Sequence, residues 1–123
     1  MITIEQLKEV KERTESLNRY LDIDGKKMQY EEEQIRTQDP SFWEDAKRAE
    51  AQMKLVKGLE KWIKDYAAVE TLVSELETAF EFFREELVSE EEVDDLYART
   101  LAAVEDLELK NMLRREEDSM DTV

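Results

Sequence analysis

The side chains with the right types and spacings for chemistry in this chain are mostly carboxylates. Glu31-Glu32-Glu33 and Glu90-Glu91-Glu92 are consecutive triplets. Consecutive residues fan around a helix instead of converging, so both triplets read as solvated faces. Acid and base carboxylates of a glycosidase kind also need a cleft, which a thin helical hairpin does not offer. Asp22-Ile23-Asp24-Gly25 is similar to the opening of a calcium loop, with Glu33 at its twelfth position. Such a loop requires Gly at position six, where this chain has Lys27, and Lys26 at position five repels the ion. Turn and capping roles account for both aspartates. Histidine and cysteine are absent, which removes the commonest general base, the commonest metal ligand and any thiolate. The two glycines, Gly25 and Gly58, are too far apart for a phosphate-binding loop. We therefore expect no catalytic residue, no metal site and no cofactor.

Three other groups have the chemistry of docking. Between residues 85 and 95 stand Glu85, Glu86, Glu90, Glu91, Glu92, Asp94 and Asp95, with no basic residue among them. Acids favour a helix N-terminus, but seven exceed what capping requires, so this stretch is a candidate acidic prong for a basic partner. Phe42 and Trp43 are adjacent aromatics in a turn, where apolar surface is costly to leave in water. They read first as a plug for the end of a bundle and second as a knob for a partner. Lys110, Arg114 and Arg115 form a small basic cluster. It suits a helix C-terminus and is the one place where nucleic acid would find cations. With a net charge of −15, the chain as a whole repels phosphate backbones, and a basic protein surface is the expected partner.

The elements that position these groups are helical. The chain has 123 residues, 41% of them charged, with two glycines and one proline, a composition typical of long helices. The fold class expected is all-α: an elongated antiparallel bundle or coiled-coil hairpin of about four helices, one very long, in a single domain over 1–123. Helix 1 occupies 1–22, with Thr3 and Gln6 spaced as a capping box and Ile4, Leu7, Val10, Thr14, Leu17 and Leu21 on one face. Helix 2 occupies 24–38; its Met28, Tyr30 and Ile35 define no clean face, and Asp39-Pro40 ends it. Helix 3 runs 45–87 from an Asp45 or Ser41 cap. Its seam is Leu55, Leu59, Trp62, Tyr66, Val69, Val73, Leu76, Phe80, Phe83 and Leu87, in steps of four and three. Gly58 inside it is expected to serve close helix packing or a slight bend. Helix 4 occupies 90–118 after a Ser89–Glu92 capping box, with Val93, Tyr97, Thr100, Val104 and Leu107 on its stripe, broadened by Leu96, Leu101, Met112 and Leu113. The short connection makes helices 3 and 4 antiparallel neighbours, and 119–123 read as the start of a linker.

Several non-heptad segments carry a family resemblance. Arg19-Tyr20-Leu21-Asp22-Ile23-Asp24-Gly25-Lys26-Lys27, Pro40-Ser41-Phe42-Trp43-Glu44-Asp45 with Ala49, and Leu107-Glu108-Leu109-Lys110-Asn111-Met112-Leu113 together resemble the N-terminal domain of the bacterial peptide chain release factor 2 family, a class I release factor. Ala46 departs from the pattern, since relatives often have Pro there. The resemblance implies a cytoplasmic translation-termination factor acting at UAA and UGA. Its helical domain docks on large-subunit stalk-base proteins of the ribosome and takes part in the interplay with the GTPase release factor. The Gly-Gly-Gln and Ser-Pro-Phe motifs of that family do not occur in these 123 residues. The expectation is therefore a fragment with no enzyme activity of its own, no membrane contact and no nucleic-acid binding by this domain alone. The alternative is a free-standing acidic coiled-coil adaptor or chaperone-like hairpin. Gly-Gly-Gln in the reading frame beyond Val123 would separate the two.

Overall fold

The computed structural model describes residues 1–120, with side chains through Arg115. Four helices make up the chain: α1 (Ile4–Leu21), α2 (Ile23–Thr37), α3 (Ala46–Arg84) and α4 (Glu90–Met120), with a 3-10 turn at Pro40–Glu44 before α3. No strand occurs among the described residues, and the class is the expected all-α hairpin bundle. At 39 residues and 1.5 Å per residue, α3 is about 60 Å long and forms the spine. α4 returns antiparallel along it, α1 packs against both, and α2 lies on the N-terminal half of α3.

The helix starts follow from local hydrogen bonding. Gln6 N–H donates to Thr3 Oγ1 at 3.2 Å while Thr3 N–H donates to Gln6 Oε1 at 2.8 Å, closing the capping box. Asp45, not Ser41, caps α3, its Oδ1 accepting from Arg48 N–H at 3.2 Å. Asp39 caps the 3-10 turn by accepting from Ser41 N–H, and Pro40 sits at its first position, where a missing N–H does no harm. Ser89 Oγ accepts from Glu92 N–H at 3.2 Å to start α4.

Helix ends differ from expectation in informative ways. α3 stops at Arg84, three residues short of Leu87, because Glu86 adopts a left-handed conformation at φ 63°. Leu87 N–H then reaches back to Phe82 C=O at 2.8 Å and Glu86 N–H to Phe83 C=O at 2.9 Å, a Schellman closure. Leu87 therefore leaves the seam and is 67% exposed. The break between α1 and α2 is the single residue Asp22, also left-handed at φ 49°. Its N–H donates to the Arg19 and Asn18 carbonyls, and its Oδ1 accepts from Gly25 N–H, so it ends one helix and caps the next. α2 thus begins at Ile23, one residue earlier than expected. α4 includes Ser119 and Met120; the rest of the expected linker, 121–123, lies outside the described residues.

The core is two connected clusters. Val10, Leu17, Leu21, Ile23, Tyr66, Val69, Val73, Val104 and Leu107 form the middle. Ile2, Leu7, Leu76 and Val93 form the end near the hairpin tip. From Leu59 to Leu76 the expected α3 seam is the one that packs, with Trp62 partly buried. Below it the buried stripe becomes Ala49 and Val56, and Leu55 is 43% exposed. One residue is about 100° of helix rotation: α3 turns a different face to α2 than to α1 and α4. Met112 and Leu113, expected to broaden the α4 stripe, are 60% and 51% exposed.

Candidate functional site

The hairpin tip gathers all seven acids, but not as one uniform prong. Glu85 ends α3, Glu86 makes the left-handed turn, and Glu90 through Glu92 fill the first turn of α4. The Met1 ammonium lies 2.6 Å from Glu90 Oε1 and 3.2 Å from Asp94 Oδ2, and Ile2 N–H donates to Asp94 Oδ1 at 3.1 Å. The hydrogen bond to Glu90, then that to Asp94, holds the ammonium pKa above its ordinary value of 8.0. Asp95 pairs with Arg99 at 3.4 Å. That leaves Glu85, Glu86, Glu91 and Glu92 as the tip carboxylates without an ion-pair partner among the described residues. Sequence spacing within 85–95 gave no sign that the chain start would dock there, 92 residues away from Asp94.

Phe42 and Trp43 lie at the opposite end of the molecule. Their rings meet edge to face at 5.0 Å, and Trp43 Nε1–H donates to Thr37 C=O at 3.0 Å. The turn buries none of its residues, and Trp43 is 57% exposed. This overturns the plug reading: the pair braces the α2–α3 turn from outside instead of filling a core.

Charged side chains tie the helices together at several points. Arg13 Nε donates to Glu108 Oε2 at 3.1 Å and its Nη2 to Oε1, a two-pronged bridge from α1 to α4. Lys11 Nζ lies 2.8 Å from Glu77 Oε1, linking α1 to α3. Glu33, read as part of a solvated triplet, is 4% exposed. It accepts from Gln52 Nε2 and pairs with Arg36 at 3.2 Å. A polar contact thus takes the place of the apolar face that α2 lacks.

The basic cluster divides. Lys110 lies 3.2 Å from Asp106 and 3.7 Å from Asp65, Asp106 contributing most to its raised pKa. Arg114 stacks over the Trp62 ring, its guanidinium carbon 5.7 Å from the centroid, and donates to Asn111 Oδ1 at 3.0 Å. Arg115 is exposed and lines a groove with Tyr20 and Met112. Gly58 does not serve helix packing as expected: a Cβ added there meets no atom within 4 Å.

Fold and site together define a helical arm with ionic chemistry at its surface. No group of three or more potential metal-ligating His, Cys, Asp or Glu side chains occurs among the described residues, and no helix there is long and apolar enough to cross a membrane. Comparison with known proteins makes the class particular. The PCRF domain family matches residues 26–123, and the chain belongs to that family. Proteins similar to it include those named Peptide chain release factor 2 from Aliivibrio fischeri, 30% identical over 94% of this chain and 32% of the relative. Another is from Aeromonas hydrophila, 33% identical over 87% and 28%. A third is from Tolumonas auensis, 34% identical over 96% and 33%. The chain spans about a third of the length of these curated relatives. No solved structure matches it.

Proposed function

We propose that this chain is the non-catalytic ribosome-docking domain of a cytoplasmic peptide chain release factor that directs termination at UAA and UGA. In this reading the domain is a positioning arm: the hairpin tip meets basic stalk-base protein of the large subunit, and the arm takes part in the interplay with the GTPase release factor. Codon reading and peptide release belong to parts of the factor other than these 123 residues. The single domain over 1–123 acts as one lever because α3 runs through its whole length.

The observation that supports the reading is how charge is distributed along the spine. Residues 65–109 contain fifteen Asp and Glu against Arg84 and Arg99 alone, a net of −13 out of −15 for the chain. An acidic half-rod steers toward basic protein and away from exposed RNA phosphates. The test replaces Glu85, Glu91 and Glu92 by Gln in a full-length release factor bearing this domain. These three have no ion-pair partner among the described residues, so the Met1–Glu90 contact stays intact. Ribosome association is expected to weaken at low salt and to converge with the parent at high salt, where exposed charges are screened. Equal association at low salt would remove the tip from the docking surface.

A further inference from the structure

A second surface lies on the other half of the rod. Gly58, Lys61, Trp62 and Asp65 of α3 and Lys110, Leu113 and Arg114 of α4 line an open groove of about 420 Å³. Its floor is the partly buried Trp62 ring, and Leu113 beside it is 51% exposed. Glycine inside a helix costs about 1 kcal/mol relative to alanine, and nothing within the chain requires it here, because a side chain at 58 would enter open space. A helical glycine on a groove wall is what close approach of another backbone needs.

The groove is also cationic in an acidic molecule. Arg114 Nε is buried without a hydrogen-bond partner among the described residues. Lys61 has no carboxylate within ion-pair distance among them, whereas Lys110 is held by Asp65 and Asp106. Lys26 stands close behind, its amine pushed below the usual lysine range by burial and then by the Arg114 charge. An apolar floor with under-compensated cations fits carboxylates carried on an apolar stripe. It fits a phosphate backbone less well, since an apolar floor gives phosphates nothing to bind.

We propose that the groove over Gly58 docks an acidic amphipathic helix of another polypeptide. Its backbone crosses α3 at Gly58, its apolar side chains cover Trp62 and Leu113, and its carboxylates pair with Lys61 and Arg114. This site is separate from the acidic tip and does not depend on the release-factor reading.

The test uses the whole 123-residue chain with Trp43→Phe, which leaves Trp62 as its one tryptophan. Three probes are titrated: an alanine-based helical peptide with a leucine stripe flanked by glutamates, the same peptide with lysines, and a short RNA duplex. The glutamate peptide is expected to change Trp62 emission saturably and to bind at least about tenfold more tightly than the other two. Gly58→Gln should weaken it at least about tenfold while helicity and thermal midpoint hold or rise, since a helical glycine has been removed. Arg114→Gln should weaken it too. The proposal is overturned by no saturable change, by equal binding of the two peptides, by tighter binding of the RNA, or by undiminished binding to Gly58→Gln.

Discussion

At the scale of single residues, two left-handed positions punctuate the fold, and neither is glycine. Glu86 at φ 63° closes α3, a conformation that costs a residue with a Cβ about 1–2 kcal/mol. Glu86→Gly should therefore stabilise the chain by about 1 kcal/mol, read as a higher urea midpoint with an unchanged slope; a lower midpoint would mean that the carboxylate itself holds the turn. Asp22 is tolerated because its side chain caps α2, and that cap requires Gly25. A Cβ at 25 would come 2.2 Å from Asp22 Oδ2. Gly25→Ala should cost about 1 kcal/mol, the usual worth of an N-cap, and should cost little more in a chain that already carries Asp22→Ala. The Met1 ammonium gives a pH signature. Its folded pKa is raised above 8.0, so its contribution is complete below pH 8 and is lost as pH rises through the raised value. Thermal unfolding from pH 7 to 10 should show a decline that N-terminal acetylation removes.

At the scale of elements, the helices packed on the spine are held by a few contacts of high leverage. Leu76 of α3 is fully buried against Leu7 of α1 and Val93 of α4. Leu76→Ala should cost about 2–5 kcal/mol, whereas Leu87→Ala, at an exposed position, should fall within about 0.5 kcal/mol of the parent. Chemical denaturation of the two variants distinguishes the observed end of the seam from the longer one that heptad spacing suggested. The Arg13–Glu108 bridge joins helices 95 residues apart in two-pronged, half-shielded geometry. A double-mutant cycle to alanine should give a coupling of about 1 kcal/mol, above the median for exposed pairs; zero coupling would make the bridge decorative.

At the scale of the whole molecule, the rod is electrically two-sided. Nearly all of its net charge lies in the half formed by 65–109, while 22–64 holds ten acids against nine bases. A uniform acidic rod would repel every anion equally. This one presents carboxylates at the tip and a cationic, aromatic-floored groove away from it, so the two proposals above call on separate surfaces.

How much of this was legible without coordinates depends on the range of the physics involved. The helices, the Thr3 cap, the antiparallel hairpin and the middle of the α3 seam were legible in the residues alone. Each rests on hydrogen bonds or periodicity within one turn or one face. Where α3 ends was hidden, because Glu86 adopts a conformation that its residue type disfavours. Which face of α3 packs below Leu59 was settled by packing alone, because that choice belongs to α2, whose own stripe is too weak to announce it. The same is true of Glu33 becoming buried, of the ammonium settling on Glu90 and Asp94, and of Gly58 facing open space beside Trp62 and Arg114. Glu33 and Gln52 are 19 positions apart and Ile2 and Asp94 are 92 apart, and no local rule reaches across such distances.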